Sequence, residues 1–126
     1  MPRRSEHGPA ARRLPLPEAQ ELAETLKAVA SPARLGLLVE LLGEERTVAE
    51  LSEALALGQS ATSHHLRILR ALRLVRPRRA GRHVYYALHD HHIAELLAAI
   101  RHHHEHVHPS APVARPKRRA ERAVLR

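Results

Sequence analysis

A mainly helical (α+β) domain, with helices forming the core and one basic β-hairpin, is predicted by three features of the sequence. Aromatic residues are nearly absent: Tyr85 and Tyr86 stand alone, with no Phe and no Trp. The core must therefore be built from Leu, Ile, Val and Ala, which suits packed helices better than a sandwich of sheets. Apolar residues recur at helical spacing through most of residues 17–108. Between the last two helical stretches, "LVRPRRAGRHVYYAL" drops that period and places β-formers on both sides of a glycine turn.

Taken in order, residues 1–15 read as a disordered basic arm, with Arg3, Arg4, Arg12 and Arg13 among Pro2, Pro9 and Pro15. The ordered domain spans 16–108. Its first helix is "PEAQELAETLKAVA", with Pro at a first helical position, acids in the first turns, and Leu22, Leu26 and Val29 on one side. Ser31-Pro32 restarts the chain as a Ser cap with Pro at the first position. Leu35, Leu38, Leu41 and Leu42 form the apolar side of the helix that follows, and Gly43 stops it. Thr47-x-x-Glu50 fits a capping box ahead of "VAELSEALAL", a short helix ended by Gly58. Gln59-Ser60 opens "SATSHHLRILRALRLV", with Ala61, Leu66, Leu69 and Leu72 apolar. Two short helices joined by a glycine-containing turn make a helix-turn-helix pattern.

The hairpin comes next, turning at Ala80-Gly81. Pro77 cannot donate to a ladder, so its strand is expected to be an edge or bulged. The last helix starts near Asp90, with Ile93, Leu96, Leu97 and Ile100 as an apolar stripe. From Pro109 the chain again reads as a disordered basic tail, 109–126, with Pro112, Pro116 and "KRRAERAVLR".

Composition narrows the function. With no cysteine, disulfides, thiolate metal sites and cysteine chemistry are excluded. No apolar run approaches the ~20 residues that span a bilayer, and the arginine-rich start lacks the apolar stretch of a secretory signal. A cytoplasmic protein without membrane partners is expected. The formal charge is +8, and its distribution matters more than its size. Between Glu53 and Asp90 there is no acid, but there are seven arginines: Arg67, Arg70, Arg73, Arg76, Arg78, Arg79 and Arg82. A field of one sign points to a polyanionic partner.

A helix-turn-helix followed by a basic hairpin is a winged helix-turn-helix, which reads double-stranded DNA with the start of its second helix. Gln59, Ser60, Thr62, Ser63 and His64 occupy that start and are candidates for base edges or phosphates. Arg67 and Arg70 lie further along and would grip phosphate. Arg78, Arg79 and Arg82 of the wing would follow the backbone or enter a minor groove.

At this point "LKAVASPARLGLLVELL", "TVAELSEALALGQSATSHHLRILRALRLV" and "RRAGRHVYYAL" resemble the ArsR/SmtB family of bacterial metal-responsive winged-helix regulators. The resemblance covers about residues 18–108. It implies a homodimer that occupies operator DNA when metal-free and releases it on binding metal. It implies no enzymatic activity, and no H-E-x-x-H helix suggests a metallohydrolase. One sensor position of the family uses cysteines in the first helix of the helix-turn-helix, which this chain lacks.

The other sensor position is the last helix, where "HHHEHVH" spans His102 to His108. His103 and His106 are three residues apart and share a face. Asp90 and His92 stand at the opposite end. Eleven residues separate His92 from His103, a rise of ~16 Å, too long for one ion. Two antiparallel copies can close the gap, because each helix start then meets the partner's helix end. Each of two equivalent sites would hold Asp90 and His92 from one chain and His103 and His106 from the other.

Asp-x-His with His-x-x-His resembles the C-terminal-helix site of the family's zinc and nickel/cobalt sensors. One carboxylate and three imidazoles satisfy tetrahedral zinc, Zn(II). Ni(II) or Co(II) prefers more ligands. His108 and His7 are additional candidates, and His106-x-His108 resembles the extended nickel/cobalt pattern. Ni(II)/Co(II) is therefore expected over Zn(II). His102 and His104 point elsewhere on the helix. Three other readings remain: an activator of the same fold, a metal-storage or chaperone protein, and a pH-responsive DNA binder whose histidines titrate near neutrality.

Overall fold

The computed structural model describes residues 13–109, so the expected arm, the tail and His7 lie outside it, apart from residues 13–15 and 109. Two compact units divide the chain after Ala94.

The first unit begins with α1, Leu16–Val29, and α2, Pro32–Glu40. Proline stands at the start of both, where its missing N–H costs nothing. Ser31 caps α2 as expected, accepting from the Arg34 amide at 3.3 Å. The apolar sides differ from the sequence expectation. Leu37 and Leu38 are fully buried and Leu41 nearly so, whereas Leu35 is exposed. On α1 two of the three stripe residues face outward, Leu22 48% and Leu26 56% exposed, while Val29 is half-buried and Ala28 buried.

Strand β1, Arg46–Thr47, was not foreseen. Two residues are too short to show an alternating pattern, so pairing rather than propensity defines it. Thr47 serves both as a strand residue paired with Tyr85 and as the cap of α3, Val48–Leu55. The capping box is present: Thr47 Oγ1 accepts from the Glu50 amide, and Glu50 Oε1 accepts from the Thr47 amide. Gly36 of α2 permits a close approach here, since a Cβ at that position would lie 3.1 Å from the Leu55 side chain.

Helix α3 does not end at Gly58. Ala56 turns the chain in the left-handed region (φ 57°), and the Leu57 amide donates to the Ser52 carbonyl at 2.9 Å. Gly58 is instead the N-cap of α4, Gln59–Ala71. That helix ends in the same way, with Arg73 at φ 61° and the Leu74 amide donating to the Leu69 carbonyl. The buried face of α4 is Thr62, Leu66 and Leu69, and Ala61, expected to be buried, is exposed. Positions 62, 66 and 69 follow the i, i+4, i+7 rule more closely than 61, 66 and 69.

The wing is β2, Val75–Ala80, paired antiparallel with β3, His83–Leu88. Its loop is Gly81–Arg82 rather than Ala80–Gly81, with Gly81 at φ 63° as the first of two loop residues. Strand order is β1-β3-β2, which puts Pro77 on an edge strand as expected. The apolar core under this sheet and the helices is aliphatic, dominated by Leu37, Leu38, Leu51, Leu66, Leu69 and Val75, with the hydroxyls of Ser52 and Thr62 buried among them. Each such side chain contributes ~1.5–3 kcal/mol on removal from water.

Helix α5, His91–Val107, starts in the first unit, and its remainder belongs to the second. Of its stripe, Leu97 is buried and Ile93 half-buried, but Leu96 is 43% and Ile100 56% exposed. Among the described residues, no helix is long and apolar enough to cross a membrane.

Candidate DNA-reading face and metal-ligand positions

Helices α3 and α4 are locked together by two hydroxyls in the core. Ser52 Oγ donates to Thr62 Oγ1 at 3.0 Å, and Thr62 Oγ1 donates to the Gly58 carbonyl at 2.9 Å. Thr62 is fully buried. This corrects its placement on the DNA face: its hydroxyl is spent on the turn, and no part of it can reach a base. The rest of the expected set lies on the other side of α4, where Gln59, Ser60, Ser63, His64, Arg67 and Arg70 are all exposed.

The wing arginines divide into two kinds. Arg79 and Arg82 are exposed and have no carboxylate partner among the described residues. Arg78 is clamped at the wing base. Its Nε lies 3.0 Å from both carboxylate oxygens of Glu45, its Nη2 lies 2.6 Å from Glu45 Oε1, and its guanidinium sits 5.2 Å from the Tyr85 ring centre. The bidentate bond holds the Glu45 carboxyl below its ordinary range and raises the basicity of Arg78. Arg78 is exposed and remains a candidate for DNA, but in a single chain it ties the wing to the segment before β1. Glu45 lies outside the acid-free interval, so the arginine count gave no hint of it.

At the start of α5, Asp90 does two things. Its Oδ1 accepts from the His92 and Ile93 amides at 3.0 and 3.3 Å, which caps the helix. The same oxygen lies 3.5 Å from His92 Nδ1, and Oδ2 lies 3.6 Å from His89 Nδ1. Desolvation works against ionisation here, but the Ile93 and His92 amides, the His92 charge and the His89 bond together hold the carboxyl below its ordinary value. The structure thus brings Asp90 and His92 together and adds His89. The Asp-x-His spacing drew attention to His92 and passed over the neighbour on the other side.

At the far end, His103, His106 and His108 are exposed. The rings that stand side by side are His102 with His106, 6.4 Å between centres, and His104 with His108, 4.5 Å. Among the described residues of one chain, no three His, Asp or Glu side chains gather as a cation cage.

Residues 31–76 match the bacterial regulatory protein family named arsR. Over 90 residues the chain is 47% identical to the HTH-type transcriptional regulator NmtR of Mycobacterium tuberculosis, covering 71% of this chain and 75% of that protein. The chain belongs to the arsR family. It is a DNA-binding transcriptional regulator, not an enzyme. It is also similar to a transcriptional repressor SmtB homolog of Synechocystis, 46% identical over 88 residues, covering 70% of this chain and 67% of that one. Among solved structures, it resembles the homodimeric winged helix-turn-helix DNA-binding domain of Mb0332 from Mycobacterium bovis. The TM-score is 0.67 at 26% identity, over 90% of this chain and all of that one.

Proposed function

We propose that this arsR-family regulator is a homodimeric, metal-released repressor. In this reading, Asp90 and His92 of one chain and His103 and His106 of the other hold one divalent cation at each of two equivalent sites. The observation that carries it is the placement of the candidates at opposite ends of α5, with the Asp90 carboxylate 3.5 Å from His92 Nδ1. Chain pairing is supported by the uncovered leucines of α1 and by Leu96 and Ile100 of α5, which leave apolar area exposed in a single chain. The homodimer of the Mycobacterium bovis domain supports it independently. Repression rather than activation is favoured by the likeness to the Synechocystis repressor.

The residues fit a cation chemically. One carboxylate and three imidazoles suit Zn(II). His108 at the end of α5 can enlarge the set toward the higher coordination that Ni(II) or Co(II) prefers, and that pair remains the proposed effector. A bound dication would supply a cross-link between chains. The two α4 helices, each presenting Gln59, Ser60, Ser63 and His64, would then be fixed in an orientation that no longer matches successive major grooves. Arg67, Arg70, Arg79 and Arg82 supply phosphate contacts. A coupling of ~1–3 kcal/mol corresponds to roughly a 5- to 150-fold loss of operator affinity.

The test is operator binding by the His103→Ala/His106→Ala variant, with and without Ni(II), Co(II) and Zn(II), alongside calorimetric titration of each metal. The variant is expected to bind DNA like wild type and to ignore metal. Release by metal equal to that of wild type would sink the proposal.

A further inference from the structure

Arg34 belongs to none of the sets described so far, yet it joins three elements. It sits in the first turn of α2, where its amide bonds to Ser31 Oγ. Its Nε donates to the Ala28 carbonyl of α1 at 2.7 Å. Its Nη1 lies 3.2 Å from Nδ1 of His65 on α4. Both side chains are half-buried. His65 directly follows Ser63 and His64 of the candidate DNA face, but it turns toward α2 instead of outward.

The chemistry of this contact allows one protonation state. A guanidinium has only donors. Nδ1 of His65 must therefore present its lone pair, and the ring proton must sit on Nε2. A protonated imidazole would place two cations in contact with no acceptor between them.

We propose that Arg34 and His65 are positioning residues for operator binding: they brace α4 against α2 and the carboxyl end of α1, and the brace holds only while His65 is neutral. The proposal rests on α4 being the DNA-reading helix. The groups acting on His65 are few. Arg34 faces it from α2, and His64 of α4 lies 5.8 Å away between ring centres. From α3 and β2, which also adjoin α4, no charged group is recorded against it among the described residues. Burial, then Arg34, then His64, all favour the neutral ring. Acidification should release the brace and loosen α4 on its support.

The sign of the effect separates this from simple charge. A histidine that merely adds a cation near DNA would tighten binding as it protonates. A brace that breaks weakens it.

The experiment uses the full-length, metal-free chain and a duplex selected by wild type from a randomised pool at pH 7.5. Affinity is read by fluorescence anisotropy from pH 7.5 to 5.5 at constant ionic strength. In His65→Gln the carboxamide oxygen can accept from Arg34 at every pH. Relative to that variant, wild type should lose roughly five- to tenfold in affinity on acidification. Arg34→Met should lose a similar factor already at pH 7.5, and adding His65→Gln to it should cost nothing more. Identical pH profiles for wild type and His65→Gln would overturn the proposal, as would tighter binding by wild type in acid. Should Arg34→Met fail to fold by circular dichroism, the His65→Gln comparison decides alone. Gln59→Ala, measured alongside, identifies the other failure: if it binds like wild type, α4 is not the reading helix.

Discussion

The helix-turn-helix and the histidine-rich helix α5 differ in how their side chains are placed. Around α3 and α4, polar groups are either buried and bonded or turned cleanly outward. Ser52 and Thr62 satisfy one another, and Leu51, Leu66 and Leu69 are fully buried beside them. Along α5, most side chains are exposed, and the histidines touch mainly each other. One region is pre-organised by a single chain. The other leaves apolar side chains and histidines uncovered, as the proposed pairing with a second chain requires. In the proposed mechanism the first region is the rigid reader, and the second is the sensor, completed only on binding.

The comparison is broken most severely in the core. Leu66→Ala should cost ~2–5 kcal/mol through lost burial and the cavity left behind, seen as a lower thermal midpoint of the metal-free protein. Ile100→Ala on α5, a side chain 56% exposed, should leave the unfolding of a single chain nearly unchanged and weaken self-association instead. Sedimentation at several concentrations distinguishes the two. Equal effects on stability would mean the contrast between regions is false. Thr62→Val comes next. It keeps the shape but orphans the Ser52 hydroxyl, at ~1–3 kcal/mol in urea denaturation.

Asp90→Asn sharpens the other side. Asparagine caps a helix about as well as aspartate, so helicity by circular dichroism should not move. Metal affinity should fall by at least about tenfold, the lower bound of what even outer-sphere partners contribute. A loss of helicity with metal binding intact would make Asp90 a cap alone. Glu45→Gln is expected to change stability little, since the ion pair is exposed. Its effect should appear in salt dependence: a freed Arg78 can reach phosphate and steepen the slope of log affinity against log salt by about 0.9. An unchanged slope would show that Arg78 stays at the wing base without its partner.

The smallest effect is a proton linkage. His65 is held below its ordinary value of 6.5, so the unfolded chain takes up its proton first as pH falls. Its contribution to stability is complete above about pH 6.5 and is lost as pH drops through the folded value. Because the ring is half-exposed, the change should be small, and urea midpoints from pH 7.5 to 5.5 should fall slightly less in His65→Gln than in wild type.

Much of this was legible in the sequence, where local chemistry dictates it. The Ser31 cap, the Thr47–Glu50 box and the edge position of Pro77 depend on neighbours a few residues away, and each is present in the structure. Facing errors arose where one residue's rotation decides burial. Thr62 looked like a polar contact and Ala61 like core, but the helix turned the other way and the hydroxyl found partners in Ser52 and Gly58. Long-range pairs were invisible. Nothing in the local pattern joins Glu45 to Arg78 across 33 residues or Arg34 to His65 across 31. The ligand candidates were legible as residues, but the proposed site draws on a second copy of the chain, which no local pattern can show.

Ala56 and Arg73 close α3 and α4 in a backbone region that glycine fills without strain, and neither is glycine. Each left-handed residue costs ~1–2 kcal/mol. Against that cost stand the local bonds by which the Leu57 and Leu74 amides close their own helices, and the packing of the elements that the turns join. The turn at Ala56 is expected to form with the packing of α3 on α4 rather than ahead of it. Ala56→Gly should therefore slow unfolding more than it speeds folding, and stopped-flow kinetics showing the reverse would place the turn at the beginning.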